Sequence, residues 1–419
     1  GELGAPFGVG LLDGVRHGFL LIAVALCSVA TCAASISDVS KRHAPLFNLS
    51  EAGGAASRLR VRREPLVRED DTVGTQEHAG PDSQGADPDA AAVVDRYARF
   101  ARDEAPGRSS LYAQWAAGVA ATPELAAILA AIPADRRQPP LVFGVTRMLG
   151  APEDGIEAWG SWLRAHAGEV VAEASARRLQ TNEPLRCAAL LPALAGVPGP
   201  IALLEVGASA GLCLYPDRYS YVFRERQTGA VRALDPAVGP SAVVLECEVS
   251  GSPPLDMPDI VWRAGIDLEP LNAADPDDRA FLTSLVWPGE AGRRERVEAA
   301  LDVAATDPPL MIEGDASDPA TLRQAAARAP VGATLVLTTP GVLPHIPRAG
   351  RERLISTVRA LDAVWISIDP PGLHEAWVPP VDPATWNGFV LGRDGVPLAA
   401  VDPLGAFVEW RAREPDAAG

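Results

Sequence analysis

Residues 201–211, Ile-Ala-Leu-Leu-Glu-Val-Gly-Ala-Ser-Ala-Gly, constrain the fold of this chain more than any other stretch. The apolar run Ile201 to Leu204 has the unbroken hydrophobicity of a parallel strand buried on both faces. It ends in Glu205, and a turn of small residues then leads to Leu212. Gly207 and Gly211 can adopt backbone angles closed to other residues, and they let a ligand approach the main chain. Ser209 is placed to cap a following helix, whose first N–H groups face whatever lies above the strand. Glu205, at the carboxyl end, lies where open α/β sheets bind ligands. A strand, a tight loop and a helix N-terminus are therefore expected here.

The same alternation continues toward the C-terminus. Ile260 to Asp267 reads as a strand ending in an acid, followed by helices over 276–286 and 293–304. A short buried strand over 309–313 leads into Gly314-Asp315-Ala316, and a helix over 319–329 precedes a strand over 333–339. A helix over 350–361 and a strand over 363–368 come next, closed by the proline-stiffened turn Asp369-Pro370-Pro371-Gly372. Ala242 to Val249 reads as an extra strand, and Gly388–Leu391 with Ala406–Trp410 as a hairpin forming an antiparallel edge. Residues 201–419 are thus expected to form an α/β domain with a doubly wound, mainly parallel sheet of Rossmann type. Asp267 follows Glu205 by far more than the roughly twenty residues of a simple βαβ unit, so 213–258 reads as an insertion.

No strand pattern interrupts residues 91–200, which read as an all-helical N-terminal part. Val93, Val94, Tyr97 and Phe100 fall at helical spacing, as do Leu111, Trp115 and Val119. Thr122-Pro123 starts a further helix, and Ile156 to Leu179 reads as one long helix. The polar cluster Gln180-Thr181-Asn182-Glu183 before Pro184 is either a helix cap or a set of donors and acceptors facing the loop at 207–211. Residues 1–90 read as an extension outside the fold. The first residue is Gly1 rather than Met, as in a fragment, a processed product or a tagged chain. Within the extension, Phe19 to Ala34 is apolar and 52–90 has the composition of a disordered linker. An overextended gene start explains the apolar stretch better than export does. The expected location is the cytoplasm, with export or anchoring as the alternative if residues 16–34 are a signal segment.

Composition removes several classes of chemistry. The net charge of −17 argues against broad nucleic-acid binding, which depends on neutralising phosphates. Lys41 is the only lysine, so no other position can supply a Walker lysine or a Schiff-base amine. The five cysteines form no C-x-x-C pair and read neither as a disulfide framework nor as a zinc site. No metal is expected.

The pattern Glu-x-Gly-x-Ser-x-Gly at 205–211 resembles the first motif of class I S-adenosylmethionine-dependent methyltransferases. It matches the dinucleotide fingerprint less well, because Ser209 and Leu212 occupy two of its glycine positions. Glu205, Asp267 and Asp315, on successive strand ends, resemble that family's acid-glycine loop, ribose acid and adenine-side acid. Asp267 as a solvated turn acid is the plainer alternative. Longer phrases, among them Gln180-Thr181-Asn182-Glu183, Leu204 to Leu212, Asp217-Arg218-Tyr219-Ser220-Tyr221, Gly265 to Leu271 and Leu285-Val286-Trp287-Pro288, are similar to those of an uncharacterised bacterial family, domain of unknown function 2332. That resemblance covers about residues 91–410 and implies a methyltransferase-like core with no established activity. Cys213 stands where the family pattern has Asn, Pro216 interrupts the helix after the loop, and Val145-Thr146-Arg147 lacks a histidine.

The resemblance implies S-adenosylmethionine as cofactor, held by Glu205, Gly207, Ser209, Gly211, Asp267 and Asp315. The partner is then a small-molecule or protein methyl acceptor. Candidates for a general base are His345, Glu183 and Tyr219, with Tyr221 beside it. His345 also reads as an ordinary surface histidine. A catalytically silent member of the fold that binds a nucleoside or a partner protein is the alternative.

Overall fold

The computed structural model describes residues 88–412. The apolar stretch 19–34 and nearly all of the linker lie outside the described residues. Helix α1 (Pro88–Arg99) opens the structure three residues before the expected start of the helical part. A π-helical turn over Phe100–Glu104 follows, then α2 (Ser110–Ala121), α3 (Pro123–Ala130) and α4 (Pro139–Met148). The hydroxyl of Ser109 caps α2 by accepting from the Tyr112 N–H, while Pro123 sits in the first turn of α3. The single helix expected over 156–179 is two, α5 (Ile156–Ala165) and α6 (Ala167–Ala176). His166 leaves helical angles between them, its ring stacked on Trp162. From Arg177, itself extended, the chain has neither helix nor strand until a turn at 184–185 leads into α7 (Arg186–Leu194).

Strand β1 (Ile201–Val206) is buried at every position, as its unbroken apolar run requires. No helix follows it. Residues 212–214 make a single 3-10 turn, and Pro216 then carries the chain out toward β2 (Ser220–Glu225), β3 (Val231–Leu234) and β4 (Val244–Ser250). The insertion is therefore a three-stranded unit rather than one extra strand. The core resumes with β5 (Ile260–Asp267), α8 (Pro276–Ser284), α9 (Arg293–Thr306), β6 (Leu310–Glu313) and α10 (Pro319–Ala326). It continues with β7 (Thr334–Pro340), a 3-10 turn Leu343–His345, α11 (Arg348–Arg359) and β8 (Val364–Asp369). The chain ends in a meander, β9 (Phe389–Arg393), β10 (Val396–Val401) and β11 (Phe407–Trp410).

All eleven strands form one sheet in the order β3-β2-β4-β11-β10-β9-β8-β7-β1-β5-β6. The stretch β6-β5-β1-β7-β8 is wholly parallel. Strand β1 lies between β5 and β7, so the chain leaves it first to one side and later to the other. That makes β1 the topological switch point of the parallel segment, the position at which open α/β sheets generally bind ligands. The expected C-terminal hairpin is not formed: β9 and β11 are separated by β10, which pairs antiparallel with both. Nor does it form an edge. These strands lie inside the sheet, joining β8 to the insertion through a parallel β11–β4 pairing, and the edges are β3 and β6. Strand β6, expected to be buried, is half-buried to exposed because no strand covers its outer side.

One hydrophobic core runs from Tyr97, Trp115 and Phe143 in the helical part through Leu191 to Leu203, Val336 and Val401 in the sheet. Trp287, from the phrase Leu285 to Pro288, packs on Phe100 and Tyr112, with the Arg108 guanidinium 3.7 Å over its ring. Arg147 donates to the carbonyls of Ser284 and Val286 at 2.8 and 2.6 Å, closing that junction. The opposite face of the sheet, including Leu204, Ala264 and Leu337, is covered by α10 and α11.

Candidate functional site

The loop after β1 is held by backbone bonds before any side chain acts. Gly207 N–H donates to the Ile266 carbonyl at 2.8 Å, and Leu271 N–H donates to the Ser209 carbonyl at 3.0 Å. Gly207 and Gly211 have φ of 75° and 78°, and Ser209 itself has φ 53°. The glycines are needed for these angles. Their missing side chains are also used by the protein's own packing. A Cβ on Gly207 would lie 2.4 Å from a methyl of Val342, and one on Gly211 3.0 Å from Pro309. Opposite the loop, a Cβ on Gly265 would lie 2.4 Å from the Ala208 methyl, so Ala208 nests over a bare strand position.

Ser209 caps no helix, because none follows. Its N–H donates to Asp267 Oδ2 at 2.8 Å, and Glu269 N–H donates to Asp267 Oδ1 at 2.9 Å. Asp267 thus clamps the strained loop to the end of β5, and each oxygen keeps a lone pair for a further donor. Asp315 lies beyond the end of β6, exposed, with Oδ1 accepting from Ser317 N–H at 2.8 Å. Gly314 N–H donates to the Asp267 carbonyl at 2.9 Å and ties the two strand ends together.

Glu205 is 3% exposed. Burial, with the Cys213 thiol and Asp267 beside it, pushes its carboxyl well above the usual carboxylate range, against the pull of the Arg186 guanidinium. Its Oε2 has no hydrogen-bond partner, and neither do Ser209 Oγ nor Asn182 Nδ2, all buried atoms. Asn182 Oδ1 accepts from Leu212 N–H at 3.4 Å, which places that amide against the same loop. Native interiors leave few buried polar groups unpaired, and each costs about 1–3 kcal/mol.

The three general-base candidates have different surroundings. Glu183 is 1% exposed, and its carboxylate accepts from Arg293 Nε at 2.6 Å, Arg296 Nε at 3.1 Å and Leu185 N–H at 3.0 Å. It pins α9 to the start of α7. The Tyr219 hydroxyl, wholly buried, donates to the Leu212 carbonyl at 2.7 Å, and that of Tyr221 donates to the Pro216 carbonyl at 2.6 Å. Burial pushes both phenols well up. His345 ends the 3-10 turn after β7 as an exposed residue, with no side-chain hydrogen bond among the described residues. Desolvation of the ring and the Arg186 charge hold its imidazole below the ordinary histidine value.

Arg186 joins these groups and is missed by the sequence reading. As the first residue of α7 it carries a positive charge at the end of a helix where the dipole disfavours one, and that misplacement is its signal. Its Nε donates to the Pro403 carbonyl at 3.0 Å, its guanidinium closes over Gly341 in the loop after β7, and its field reaches both Glu205 and His345. Glu205, Ser209, Asp267, Asn182, Arg186 and His345 therefore gather around the carboxyl ends of β1, β5 and β7, while Glu183 and Tyr219 are bound elsewhere. Among the described residues no group of three His, Cys, Asp or Glu side chains is arranged to hold a metal ion.

Residues 94–410 match a family model described as an uncharacterized protein conserved in bacteria, domain of unknown function 2332, and the chain belongs to that family. No curated protein and no solved structure matches it.

Proposed function

We propose that this member of the family is an S-adenosylmethionine-dependent methyltransferase whose cofactor sits over the carboxyl ends of β1 and β5. The observation that carries this reading is the pair of unpartnered buried atoms, Glu205 Oε2 and Ser209 Oγ, at the switch point of the parallel strands. A purely structural turn has no use for them. Glu205, its carboxyl held toward the protonated form, can both donate and accept. The free lone pairs of Asp267 suit the paired hydroxyls of a ribose, and Asp315 stands one strand further out. The cofactor supplies an electrophilic methyl group on a positively charged sulfur. Positioning of the acceptor and exclusion of water are the chain's part in such a displacement. His345, exposed and held neutral, is the candidate able to receive the acceptor's proton.

A second reading is supported by the packing: Val342 and Pro309 crowd the glycine loop, and its Ala208 is pressed on Gly265, as in a silent relative that binds a nucleoside or a partner protein. Thermal-shift titration of the full chain with S-adenosylmethionine, S-adenosylhomocysteine and NAD tests the cofactor on which the first reading rests. Ligand at a hundredfold excess over its dissociation constant adds about 2.7 kcal/mol of stability. A rise with both adenosyl compounds, lost in Asp267→Ala, supports the methyltransferase; no rise with any of the three rejects it.

A further inference from the structure

Residues 370–388, between β8 and β9, contain neither helix nor strand, yet they are tied down along α11. Val378 N–H donates to the Gly395 carbonyl at 2.8 Å, and Arg359 Nη2 donates to the Ala376 carbonyl at 3.0 Å. Between this strap and α11 lies a cavity of about 880 Å³, within the size range of small-molecule sites. Arg348, Arg351 and Arg359 line it from one face of the helix, and Pro371, Leu373 and Trp377 line it from the strap.

The arginines are not alike. Arg348 is paired with Glu352 at 2.7 Å. Arg351 gives one N–H to the Leu343 carbonyl at 3.3 Å, Arg359 one to Ala376, and neither has a carboxylate within ion-pair distance among the described residues. A guanidinium carries five donors, so most of theirs remain open. Glu352 and Glu375 also line the cavity and the charge of Arg351 reaches the buried Asp369, but Glu352 is paired with Arg348 and, among the described residues, no carboxylate lies within ion-pair distance of Arg351 or Arg359.

A second observation comes from the floor of the cavity. Trp377 is 3% exposed, and its indole Nε1–H has no partner. Its ring packs at 4.5 Å on His374, which also lines the cavity. His374 Nδ1 accepts from Ala376 N–H at 3.2 Å, which assigns the ring proton to Nε2, 3.4 Å from Asp369 Oδ2. The tryptophan ring is therefore held in place by a fixed neighbour. Donors without acceptors, beside walls of proline and leucine, describe the complement of an anion with an apolar body.

We propose that the groove between α11 and the 370–383 strap binds a small organic anion, a carboxylate or phosphate monoester on an apolar body. Arg351 and Arg359 receive the charged group, and Pro371 and Leu373 the body. This site stands independently of whatever binds above β1.

The test titrates the full chain in low-salt buffer with benzoate and with phenyl phosphate, followed by ligand-observed saturation-transfer NMR. Benzyl alcohol serves as the uncharged control. Ligands of about ten heavy atoms are expected to bind in the millimolar range. The stronger of the two probes identifies the anion as carboxylate or phosphate. Arg351→Gln and Arg359→Gln, which keep a hydrogen-bond donor and remove the charge, each weaken binding about tenfold. The melting temperature of each free variant is the check on folding. The proposal is overturned if neither anion binds, if benzyl alcohol binds as well as the anions, or if Arg351→Gln binds like the wild type.

Discussion

Replacing Gly207 by alanine separates two uses of the loop glycine, room for a ligand and room for Val342. At φ 75° an L-residue costs about 1–2 kcal/mol relative to glycine. The new Cβ would meet Val342 Cγ2 at 2.4 Å and Val342 Cβ at 2.9 Å, both closer than Cβ atoms approach other groups. Overpacking of that kind adds about 1–3 kcal/mol, so the total destabilisation is about 2–5 kcal/mol with no ligand present. Val342→Ala removes the nearer atom and leaves the 2.9 Å contact, so it relieves only part of the clash. The double variant Gly207→Ala/Val342→Ala should recover about 1–2 kcal/mol relative to the sum of the single changes. Urea unfolding of the full chain, followed by tryptophan fluorescence, measures all four corners of the cycle. Strict additivity refutes the packing argument. A Gly207→Ala variant of wild-type stability that no longer responds to S-adenosylmethionine would show that the glycine faces a ligand and not Val342.

Two shorter predictions concern the buried carboxylates. Glu183→Gln leaves the Arg293 and Arg296 guanidiniums without the carboxylate that now receives both, and breaking a buried pair costs about 3–5 kcal/mol; a variant of unchanged urea midpoint and lost activity would make Glu183 a catalytic group instead of a structural one. Glu205 has a raised folded value, so from its unfolded value of about 4.3 upward to that raised value the native state holds a proton that the unfolded chain releases, and stability falls as pH rises through the window. Glu205→Gln removes this dependence, so the variant gains on the wild type as pH rises above the unfolded carboxylate value in urea titrations; parallel curves refute the assignment.

The parallel core was legible because each of its strands is a short apolar run with a polar or small-residue stop, as at Leu204-Glu205 and Ile368-Asp369. The insertion was less so. Strand β3 is almost wholly exposed and carries no buried face to produce a pattern, while β2 was visible only as clustered aromatics. Strand β10 follows the turn Asp394-Gly395 and contains Pro397, which reads as loop until its antiparallel partners are known. The break at His166 was hidden because apolar spacing continues across it from Leu163 to Val170. In the site, the acids at strand ends could be placed from sequence. What they bond to could not: Asp267 is occupied by amides of two loops, and Glu183 by arginines more than a hundred residues away.

These contacts divide the glycine loop into parts that packing explains and parts that it does not. Gly207, Ala208 and Gly211 fit against Val342, Gly265 and Pro309, and a structural turn would select the same residues. Asp267 anchors the positive φ of Ser209, which a structural turn would also select. Glu205 and Ser209 differ. A carboxyl 3% exposed, with one oxygen unpaired, is less stable than an apolar side chain of similar volume on a strand already buried on both faces. Nothing in the strand's own packing requires the acid there. Unpaired buried polar groups persist where something other than stability retains them, and Glu205 lies within the field of Arg186 at the carboxyl end of β1, the switch point of the parallel strands. What packing leaves unexplained in the motif is therefore Glu205 and Ser209, and not the glycines by which such a loop is usually recognised.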